Sequence, residues 1–523
     1  MKAVFIKILS AISAFIMLFT SPGGQIRQPR AASKCPAFYG EVATANPLED
    51  DGSITVPQHP LLADEGTNGM HGNSYNTDTY DYMGPLGINP VVKSRSMNVF
   101  GGLVATLMFD SKGRIMCISG NVVGFRLLLL DADTLEILAE TRLPQRASTV
   151  EAIKTFDFDK ISSDTSGGAY CHLLEGDRPI IGNSDNVIQI FYIDESTGSP
   201  EWKIEKEWDI SSYLPEGSYL TDAIPDYEGN IWFVTRPGEV GYIDAETEEV
   251  KLTNLENEEI QNTLAICKDG VYIVSDTAMY RFDIGEDGVP YYTWRTAYDR
   301  GTTLKPGAIN QGSGTTPTLL DVPVYDKEGD GAKQVGVRKL CAITDNADSR
   351  VNIVIYDRLN GEIVDEVPLF TEGKSVSENS IVAYGRSFII ENNFSESGAG
   401  FLVKNPTSEP GVTRIDMNYD CTDAFVVWES DEASATVVPK MSTENGILYL
   451  YTRVQNDEIP EKAVAWYFTA VDFRTGETIY KVFTGCGKNW NNSYGPITIG
   501  PNGKAYVGVF NGLISIEDTQ SID

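Results

Sequence analysis

The sequence predicts an all-β fold, a closed β-propeller of about eight four-stranded blades, and three observations lead to this prediction. First, the 523-residue chain contains 48 Gly, 25 Pro, 25 Tyr and 21 Phe, a composition typical of many short strands joined by tight turns. Second, pairs of apolar strands around a glycine turn recur along the chain, whereas long amphipathic helices are rare. Third, those turns are spaced like a structural repeat.

The N-terminal segment, residues 1–33, is predicted to be a secretory signal peptide. Lys2 and Lys7 precede an apolar run, residues 8–19, that is too short to span a bilayer. Residues 31–33 are small enough for a signal peptidase, and residues 21–23 are a nearer alternative. Cys35 follows Lys34 rather than a small residue, which argues against a lipid anchor. We therefore expect a secreted or periplasmic protein without membrane attachment after cleavage.

Residues 34–97 are predicted to form an extended arm that wraps over the propeller. The segment is rich in Asn, Gly, Pro and Tyr and lacks strand periodicity. Its histidine, His71, is a candidate catalytic residue if the arm closes over the mouth of the propeller, and an exposed loop histidine if it does not.

The propeller itself is predicted over residues 98–523. Eight turn glycines mark the repeats: Gly113, Gly176, Gly229, Gly270, Gly331, Gly385, Gly446 and Gly503. Successive glycines lie about 41 to 63 residues apart, and four-stranded blades give periods of roughly 40 to 50 residues or somewhat more. Seven blades, or two smaller β domains divided near residues 300–315, are the alternatives.

The last repeat contains only about three strands before the chain ends. A closed ring therefore needs an N-terminal strand that completes this blade and removes an exposed sheet edge. The segments GSITVP (52–57) and MNVFGG (97–102) are the candidates for that strand.

Several repeats contain a short hairpin near their end, as in YDRLNGE (356–362) and VDFRTGETIYKV (471–482). These hairpins resemble the outer hairpins of quinoprotein-like, or PQQ-binding-like, β-propeller repeats, and the resemblance extends over most of residues 98–518. It implies a propeller of about eight blades. It does not imply the quinone, because the adjacent cysteine pair and the tryptophan docking strip of quinoprotein alcohol dehydrogenases are absent from the sequence. PQQ is therefore not expected as a cofactor.

Composition argues against several classes of partner and site. The formal net charge of -33 disfavours nucleic acids and anionic membranes as partners, since their phosphates would be repelled. The seven cysteines form no CxxC pair, which argues against a zinc cluster. With only three histidines, a site of several histidines is nearly excluded. A small-molecule or carbohydrate-like ligand is the expected partner, and the sequence leaves the oligomeric state open.

One face of the propeller is predicted to carry the functional site. The first strand of a blade starts on the face where the second strand ends, because consecutive strands are antiparallel. Polar residues accumulate at these positions, and the predicted ligand-binding residues are Asp222, Arg236, Asp276, Thr315, Asp345, Asn346, Asn379, Asn392 and Asn492. Asp and Asn also cap turns at strand ends, so a purely structural role is the alternative for each of them.

Two sets of residues are candidate ligands for Ca²⁺, which prefers carboxylate and amide oxygens. The axial set consists of Asp345, Glu378, Asn379 and Glu391. The loop set consists of Asp326, Glu328 and Asp330, which alternate before Gly331 but lack the bidentate glutamate of a calcium loop.

These observations favour a secreted propeller that binds a small or oligomeric ligand on the predicted face. The first alternative is a calcium-dependent, lactonase-like hydrolase in which Glu378, Glu391 or His71 is the catalytic residue. A quinoprotein-like oxidoreductase and a protein-interaction scaffold are further alternatives, because a propeller fold does not fix a function.

Overall fold

A computed structural model describes residues 24–48, 53–97, 102–121, 124–155, 164, 166–396, 408–454 and 464–519. In these residues the chain forms eight blades of four strands each, arranged as a ring. The predicted all-β propeller with eight blades is confirmed, and the seven-bladed and two-domain alternatives are wrong. Most of the predicted signal peptide, residues 1–23, lies outside the described residues.

Three strands lie in the N-terminal segment. They are β1 (Phe38–Gly40), β2 (Thr79–Tyr80) and β3 (Val91–Ser96). Strand β1 adds to the outer edge of blade 7, and β2 adds to the inner edge of the same blade. A short 3-10 helix, Arg30–Lys34, precedes β1.

Blades 1 to 4 follow in chain order, each built of four antiparallel strands. Blade 1 comprises β4 (Leu103–Phe109), β5 (Ile115–Asn121), β6 (Gly124–Leu130) and β7 (Ile137–Leu143). Blade 2 comprises β8 (His172–Leu174), β9 (Arg178–Gly182), β10 (Val187–Asp194) and β11 (Glu201–Asp209). Blade 3 comprises β12 (Leu220–Pro225), β13 (Ile231–Thr235), β14 (Glu239–Ile243) and β15 (Val250–Asn254). Blade 4 comprises β16 (Ala265–Cys267), β17 (Gly270–Val274), β18 (Ala278–Ile284) and β19 (Pro290–Ala297).

Blades 5 to 8 complete the ring. Blade 5 comprises β20 (Thr318–Tyr325), β21 (Gln334–Thr344), β22 (Asn352–Asp357) and β23 (Ile363–Pro368). Blade 6 comprises β24 (Val382–Tyr384), β25 (Ser387–Glu391), β26 (Val412–Met417) and β27 (Ala424–Ser430). Blade 7 comprises β28 (Lys440–Ser442), β29 (Ile447–Val454), β30 (Ala465–Asp472) and β31 (Thr478–Cys486). Blade 8 comprises β32 (Ile497–Ile499), β33 (Ala505–Val509), β34 (Gly512–Glu517) and the N-terminal strand β3.

Few helices interrupt the strands. The described residues contain one α-helix, α1 (Ala147–Thr155), between blades 1 and 2, and further 3-10 turns at Ser211–Tyr213 and Lys488–Trp490. In the described part of the chain, no helix has the length and apolar character that a membrane crossing requires.

Local sequence explains the outer hairpins. Between β30 and β31, Asp472 Oδ1 accepts hydrogen bonds from the backbone amides of Arg474 at 2.8 Å and Thr475 at 2.9 Å. Gly476 closes the turn with φ of 75°, a conformation that costs glycine little. Asp131 and Asp244 cap the equivalent turns of blades 1 and 3. The D-x-x-T motif therefore fixes the hairpin, and the apolar faces of the strands pack between blades.

Blade 8 combines three C-terminal strands with one strand from the N-terminal segment. Strand β3 pairs antiparallel with β34, from Val91 opposite Glu517 to Ser96 opposite Gly512. The prediction of an N-terminal closing strand is confirmed, but the strand is VVKSRS and neither of the two predicted segments. Its β-branched residues followed by alternating polar ones suit the outer edge of a sheet, where one side faces water.

The middle part of the N-terminal arm lies inside the ring, whereas β1 and β3 lie on the outer edges of blades 7 and 8. Residues 59–82, which we call the plug, enter the central channel and receive backbone hydrogen bonds from the inner strands of six blades. In each pair the backbone amide of the blade residue donates to the carbonyl oxygen of the plug residue, over 2.7 to 3.1 Å. The pairs are Phe109 to Thr67, Leu173 to Asn68, Ile266 to Ser74, Leu319 to Tyr75, Ala383 to Thr77, and Met441 to Asp78. On blade 8, the Tyr82 hydroxyl donates to the carbonyl of Ile499 at 2.9 Å. The plug thus satisfies polar groups that would otherwise line an open channel.

Candidate functional site

Polar side chains, most of them buried, gather at the axis, on the face where the first strand of each blade begins. Six of them, which we call the axial cluster, come from the plug and from the loops before or after inner strands. They are His71, Tyr170, Arg236, Gln261, Asn262 and Glu378. Several of the residues predicted from sequence lie at this end of the channel, and three of those predictions, His71, Arg236 and Glu378, belong to the cluster.

Glu378 lies in the loop that leads into β24. Close backbone packing fixes this loop, since a Cβ atom on Gly314 would lie 2.6 Å from the carbonyl oxygen of Ser377 and 2.7 Å from Glu378 Cα. The Glu378 amide donates to Asn393 Oδ1 at 2.7 Å. Burial raises the pKa of Glu378 to about 8, although the Ile309 backbone, Gln261 and Arg236 oppose this rise. Near neutral pH, Glu378 is therefore mostly protonated.

Arg236 follows β13 of blade 3. Its Nε and Nη2 atoms donate to Glu259 Oε2 at 3.0 and 2.9 Å, respectively. Arg236 is only 7% exposed and Glu378 only 8%, yet among the described residues neither Arg236 Nη1 nor Glu378 Oε2 has a hydrogen-bond partner. Buried polar groups without a hydrogen-bond partner are costly, whether charged like Arg236 or protonated like Glu378, so a ligand or water that bonds to them is favoured.

Tyr170 and Asn262 connect the two sides of the axial cluster. The Tyr170 hydroxyl donates to Asn262 Oδ1 at 3.4 Å, and Asn262 Nδ2 donates to the Thr315 carbonyl at 3.1 Å. Next to Asn262, the Gln261 side chain accepts a hydrogen bond from Asn310 Nδ2 at 2.5 Å. Tyr170 and Asn310 are half-buried, so the cluster reaches solvent along these residues.

His71 forms the floor of the cluster. Its Nδ1 lies 3.1 Å from both carboxylate oxygens of Asp78, and its Nε2 lies 3.4 Å from the Thr316 hydroxyl. Lys440 forms an ion pair with Asp78 and donates to the Met70 carbonyl at 2.6 Å. Burial lowers the pKa of His71, although Asp78 opposes this effect. The expectation of an exposed loop histidine is therefore wrong: His71 is a buried, neutral imidazole.

A second buried pair of a histidine and an aspartate, His172 and Asp222, lies between blades 2 and 3. Asp222 accepts a hydrogen bond from Thr263 and lies 3.1 Å from His172 Nε2. Burial would raise the pKa of Asp222, but His172, Thr263 and the Ala223 amide together hold it below its ordinary value. Asp222 is thus occupied by protein partners in the wall of the channel.

Glu391 forms a separate buried group with two amides. Asn379 Nδ2 and Asn393 Nδ2 donate to Glu391 Oε1 at 2.5 and 3.2 Å, respectively. Burial raises the pKa of Glu391 to about 8, against the opposing effects of Ser434 and the two amides. Glu378 is adjacent to Asn379 in sequence but contacts Gln261, on another side of the loop. The two glutamates therefore belong to different groups.

The predicted cation sites lack their expected geometry. Within the described residues, no three His, Cys, Asp or Glu side chains are grouped in a way that could hold a metal ion. Asp345 is turned back into its own loop, where it accepts hydrogen bonds from the Asn352 amide and side chain, both at 2.6 Å. Its carboxylate is therefore already satisfied, and burial raises its pKa to about 6. Convergence of Asp345, Glu378 and Glu391 on one cation is not found, and calcium binding stays a prediction.

The loop candidates lie on the molecular surface. Asp326, Glu328 and Asp330 are exposed, and Asp326 Oδ1 accepts a hydrogen bond from the Lys333 amide at 2.8 Å. This bond closes the hairpin between β20 and β21. A structural role explains the position of Asp326 without a cation.

Most of the other predicted ligand-binding residues support loops. Asn392 and Asn492 bond to backbone carbonyls with their amide groups, at 2.9 Å to Lys374 and 2.8 Å to Gly495. Thr315 accepts a hydrogen bond from the Thr344 amide at 2.9 Å. Asp276 and Asn346 hold the segment that follows β19: Asp276 pairs with Arg300 at 2.6 Å, and Asn346 donates to the Arg300 carbonyl at 3.0 Å.

Other functional candidates are visible only in the structure. Tyr170 lies in no recognisable motif. Gln261 is the residue before Asn262, which stands where the sequence indicates the start of a strand.

Three buried cations also lie on this face and hydrogen-bond to neutral oxygens: Arg146 to the Asp164 carbonyl, Lys305 to the Ala347 carbonyl and Arg453 to the Ser408 hydroxyl. Burial lowers the pKa of each of these three groups. Acidic groups lie close to two of these cations, Asp164 beside Arg146 and Asp345, Asp348 and Asp299 around Lys305, so buried cations and carboxylates are interspersed on this face.

Comparison with known proteins assigns no activity to the chain. No family model matches the chain, so the resemblance to PQQ-binding-like repeats stays a prediction. The chain is 26% identical over 338 residues to an uncharacterized protein of Archaeoglobus fulgidus, and the match covers 57% of this chain and 62% of that protein. The chain thus spans less than two thirds of that relative.

Two solved structures illustrate the similarity to other proteins. BamB from Moraxella catarrhalis is 13% identical with a TM-score of 0.35, over 66% of this chain and 94% of BamB. A streptogramin B lyase is 11% identical with a TM-score of 0.34, over 82% of this chain and 97% of the lyase. Values this low say nothing about the activity of the present chain.

Proposed function

We propose that this protein is a secreted or periplasmic β-propeller that binds a small, anionic, hydroxyl-bearing ligand at the axial cluster. One observation carries the proposal: Arg236 Nη1 and Glu378 Oε2 lack partners among the described residues, although both side chains are more than nine-tenths buried. A ligand that bonds to both atoms would satisfy two buried groups at once.

The guanidinium of Arg236 favours an anion. Its Nη1 offers two N–H groups that have no partner among the described residues, whereas its Nε and Nη2 atoms are bonded to Glu259. Charge-assisted hydrogen bonds from a guanidinium to a carboxylate are about twice as strong as neutral ones. A carboxylate is therefore the group that best fits beside Arg236.

The other members of the cluster favour hydroxyl groups. Protonated Glu378 can donate one hydrogen bond and accept another, and Asn262 and Tyr170 supply an amide and a phenol. Side chains that both donate and accept match sugar hydroxyls, which do the same. A sugar acid combines these hydroxyls with the carboxylate, so a carbohydrate-like ligand is the class we propose.

Binding of D-glucuronate, followed by isothermal titration calorimetry, tests this function. We expect saturable binding, weaker binding of uncharged D-glucose, and a loss of at least about tenfold in Arg236→Met and Glu378→Leu. Arg178→Met is the matched control, because Arg178 belongs to β9 and pairs with Glu205 at 3.2 Å, away from the cluster. Equal affinity in Arg236→Met and wild type, or no heat with either sugar, would contradict the proposal.

Hydrolysis is the second candidate function, and the Thr316–His71–Asp78 arrangement favours it. Asp78 orients His71, whose Nε2 can accept the Thr316 proton while the hydroxyl oxygen attacks an ester or lactone carbonyl. The C–O bond to the leaving alcohol then breaks as His71 returns the proton to that alcohol, and a water molecule hydrolyses the acyl-Thr316 ester to the acid and free Thr316. Incubation with D-glucono-δ-lactone and p-nitrophenyl acetate tests this candidate. Turnover that Thr316→Val abolishes supports it, whereas no turnover of either compound, or full activity in Thr316→Val, rejects it.

A further inference from the structure

The N-terminal segment is held against the outer strand of blade 7 in a defined register. Strand β1 pairs antiparallel with β31, with Phe38 opposite Val482 and Gly40 opposite Tyr480. The Phe483 amide donates to the Ala37 carbonyl at 3.0 Å, which extends this register toward the N-terminus. Continuing it places Cys35 beside the C-terminal end of β31, where Cys486 is the last residue.

Side-chain contacts confirm this placement. In a chain that retains residues 24–33, as cleavage at residues 21–23 leaves it, Gln28 contacts the end of β31: its Nε2 donates to the Thr484 carbonyl at 3.0 Å and its Oε1 accepts from the Cys486 amide at 3.1 Å. Cys35, Ala31 and Ala32 pack against the small buried cluster that contains Cys486. Each thiol affects the pKa of the other, as expected of two side chains that share one small cluster.

We propose that Cys35 and Cys486 form a disulfide bond that fixes the N-terminal segment to blade 7. Both cysteines are thiols in the present structure. The proposed step is thiol–disulfide exchange with a low-molecular-weight disulfide, RSSR, as oxidant: Cys35–SH, Cys486–SH and RSSR give Cys35–S–S–Cys486 and two RSH. The two cysteines are oxidised, and RSSR accepts the two electrons and the two protons.

The exposure of the two residues sets the order of the exchange. Cys35 is half-buried and reachable from solvent, whereas Cys486 is buried. The Cys35 thiolate therefore attacks RSSR first and releases one RSH. The Cys486 thiolate then attacks the Cys35 sulfur of this mixed disulfide and releases the second RSH.

The other cysteines provide the contrast. Cys117, Cys171, Cys267, Cys341 and Cys421 are all buried, and the first four lie in blade strands or next to one. Cys421 contacts the Pro323 carbonyl at 3.7 Å. None of these five belongs to the cluster around Cys486. The odd number of cysteines is thus resolved as one bonded pair and five thiols.

Oxidation of the purified full chain with oxidised glutathione, followed by alkylation in denaturant and non-reducing peptide mapping, tests the proposal. We expect the number of alkylated thiols to fall from seven to five, with one crosslinked peptide pair that contains residues 35 and 486. The melting temperature should rise by about 2–5 °C on oxidation, and Cys35→Ser should show neither the crosslink nor the rise. Cys421→Ser is the control and should retain both.

Three results would overturn the proposal. They are seven alkylated thiols after oxidation, a crosslink between other cysteines, and glutathione bound stably at Cys35 while Cys486 remains a thiol. Cys35 is half-buried in a surface segment, so Cys35→Ser is expected to fold. If Cys35→Ser does not fold, the peptide map of the oxidised wild type decides the question by itself.

Discussion

Asp78 and Lys440 form an ion pair across 362 residues of sequence, and both side chains are fully buried. Asp78 belongs to the plug and Lys440 to the innermost strand of blade 7. The pair therefore ties the N-terminal segment to the ring at its axis, where backbone hydrogen bonds from six blades already converge on the plug. The plug is part of the folded core of the propeller.

Replacing Lys440 by Met is expected to lower the free energy of unfolding by about 3–5 kcal/mol, because Asp78 is left as an unpaired buried charge. The double variant Asp78→Asn, Lys440→Met should recover a large part of this loss, since both charges are then removed. Urea denaturation of the two single variants and the double variant measures the coupling. Additive losses would show that the two charges do not interact.

Ring closure depends on a close approach between β34 and β3. Gly512 has φ of 151°, and a Cβ atom there would overlap the Arg95 carbonyl. Gly512→Ala should therefore cost at least about 3 kcal/mol of unfolding free energy.

Gly113 provides the matched control for this substitution. Its φ is 74°, and a Cβ atom there would meet nothing within 4 Å, so Gly113→Ala should cost only about 1–2 kcal/mol. Thermal denaturation ranks the two variants. Equal losses of unfolding free energy in Gly512→Ala and Gly113→Ala would mean that β34 and β3 are not in tight contact.

The raised pKa of Glu391 makes stability depend on pH. Its pKa is 4.5 as a free side chain and about 8 in the fold, so between these values the folded state holds a proton that the unfolded state has lost. Stability falls as pH rises through this window, by at most about 1.4 kcal/mol per pH unit for this one group.

Glu391→Gln removes this dependence and leaves the rest of the fold intact. The difference in unfolding free energy between Glu391→Gln and wild type should therefore shift in favour of the variant from pH 5 to pH 8. Urea denaturation at each pH measures it, with Glu216→Gln at an exposed position as the control. Parallel pH profiles of wild type and Glu391→Gln would contradict the buried, protonated state of Glu391.

The sequence predicts those features that local chemistry determines. Asp472 and Gly476 specify their hairpin by bonds within a few residues, and the spacing of the eight turn glycines from Gly113 to Gly503 is sufficient to predict eight blades. The sequence predicts that an N-terminal strand closes the last blade, but it does not predict which segment forms that strand. The segment VVKSRS pairs with β34, about 420 residues away, and only that pairing identifies it as the closing strand.

The plug and the site depend on distant partners, which no local pattern reveals. Thr77 and Asp78 receive backbone hydrogen bonds from Ala383 and Met441, and nothing in NGMHGNSYNTDTY indicates them. Asp345 stands at a predicted site position, but Asn352, seven residues later, turns its carboxylate inward. Tyr170 is a site candidate only because the fold brings Asn262, 92 residues away, to its hydroxyl.

Hydrogen–deuterium exchange with and without saturating D-glucuronate tests the central claim, that the ligand binds at the axial cluster, most directly. We predict slower exchange in peptides covering residues 234–238, 260–264 and 376–381, and unchanged exchange in the turns at 226–230 and 500–504, which lie on the opposite face. Slower exchange in those opposite turns, or none at the axial cluster, would contradict the account.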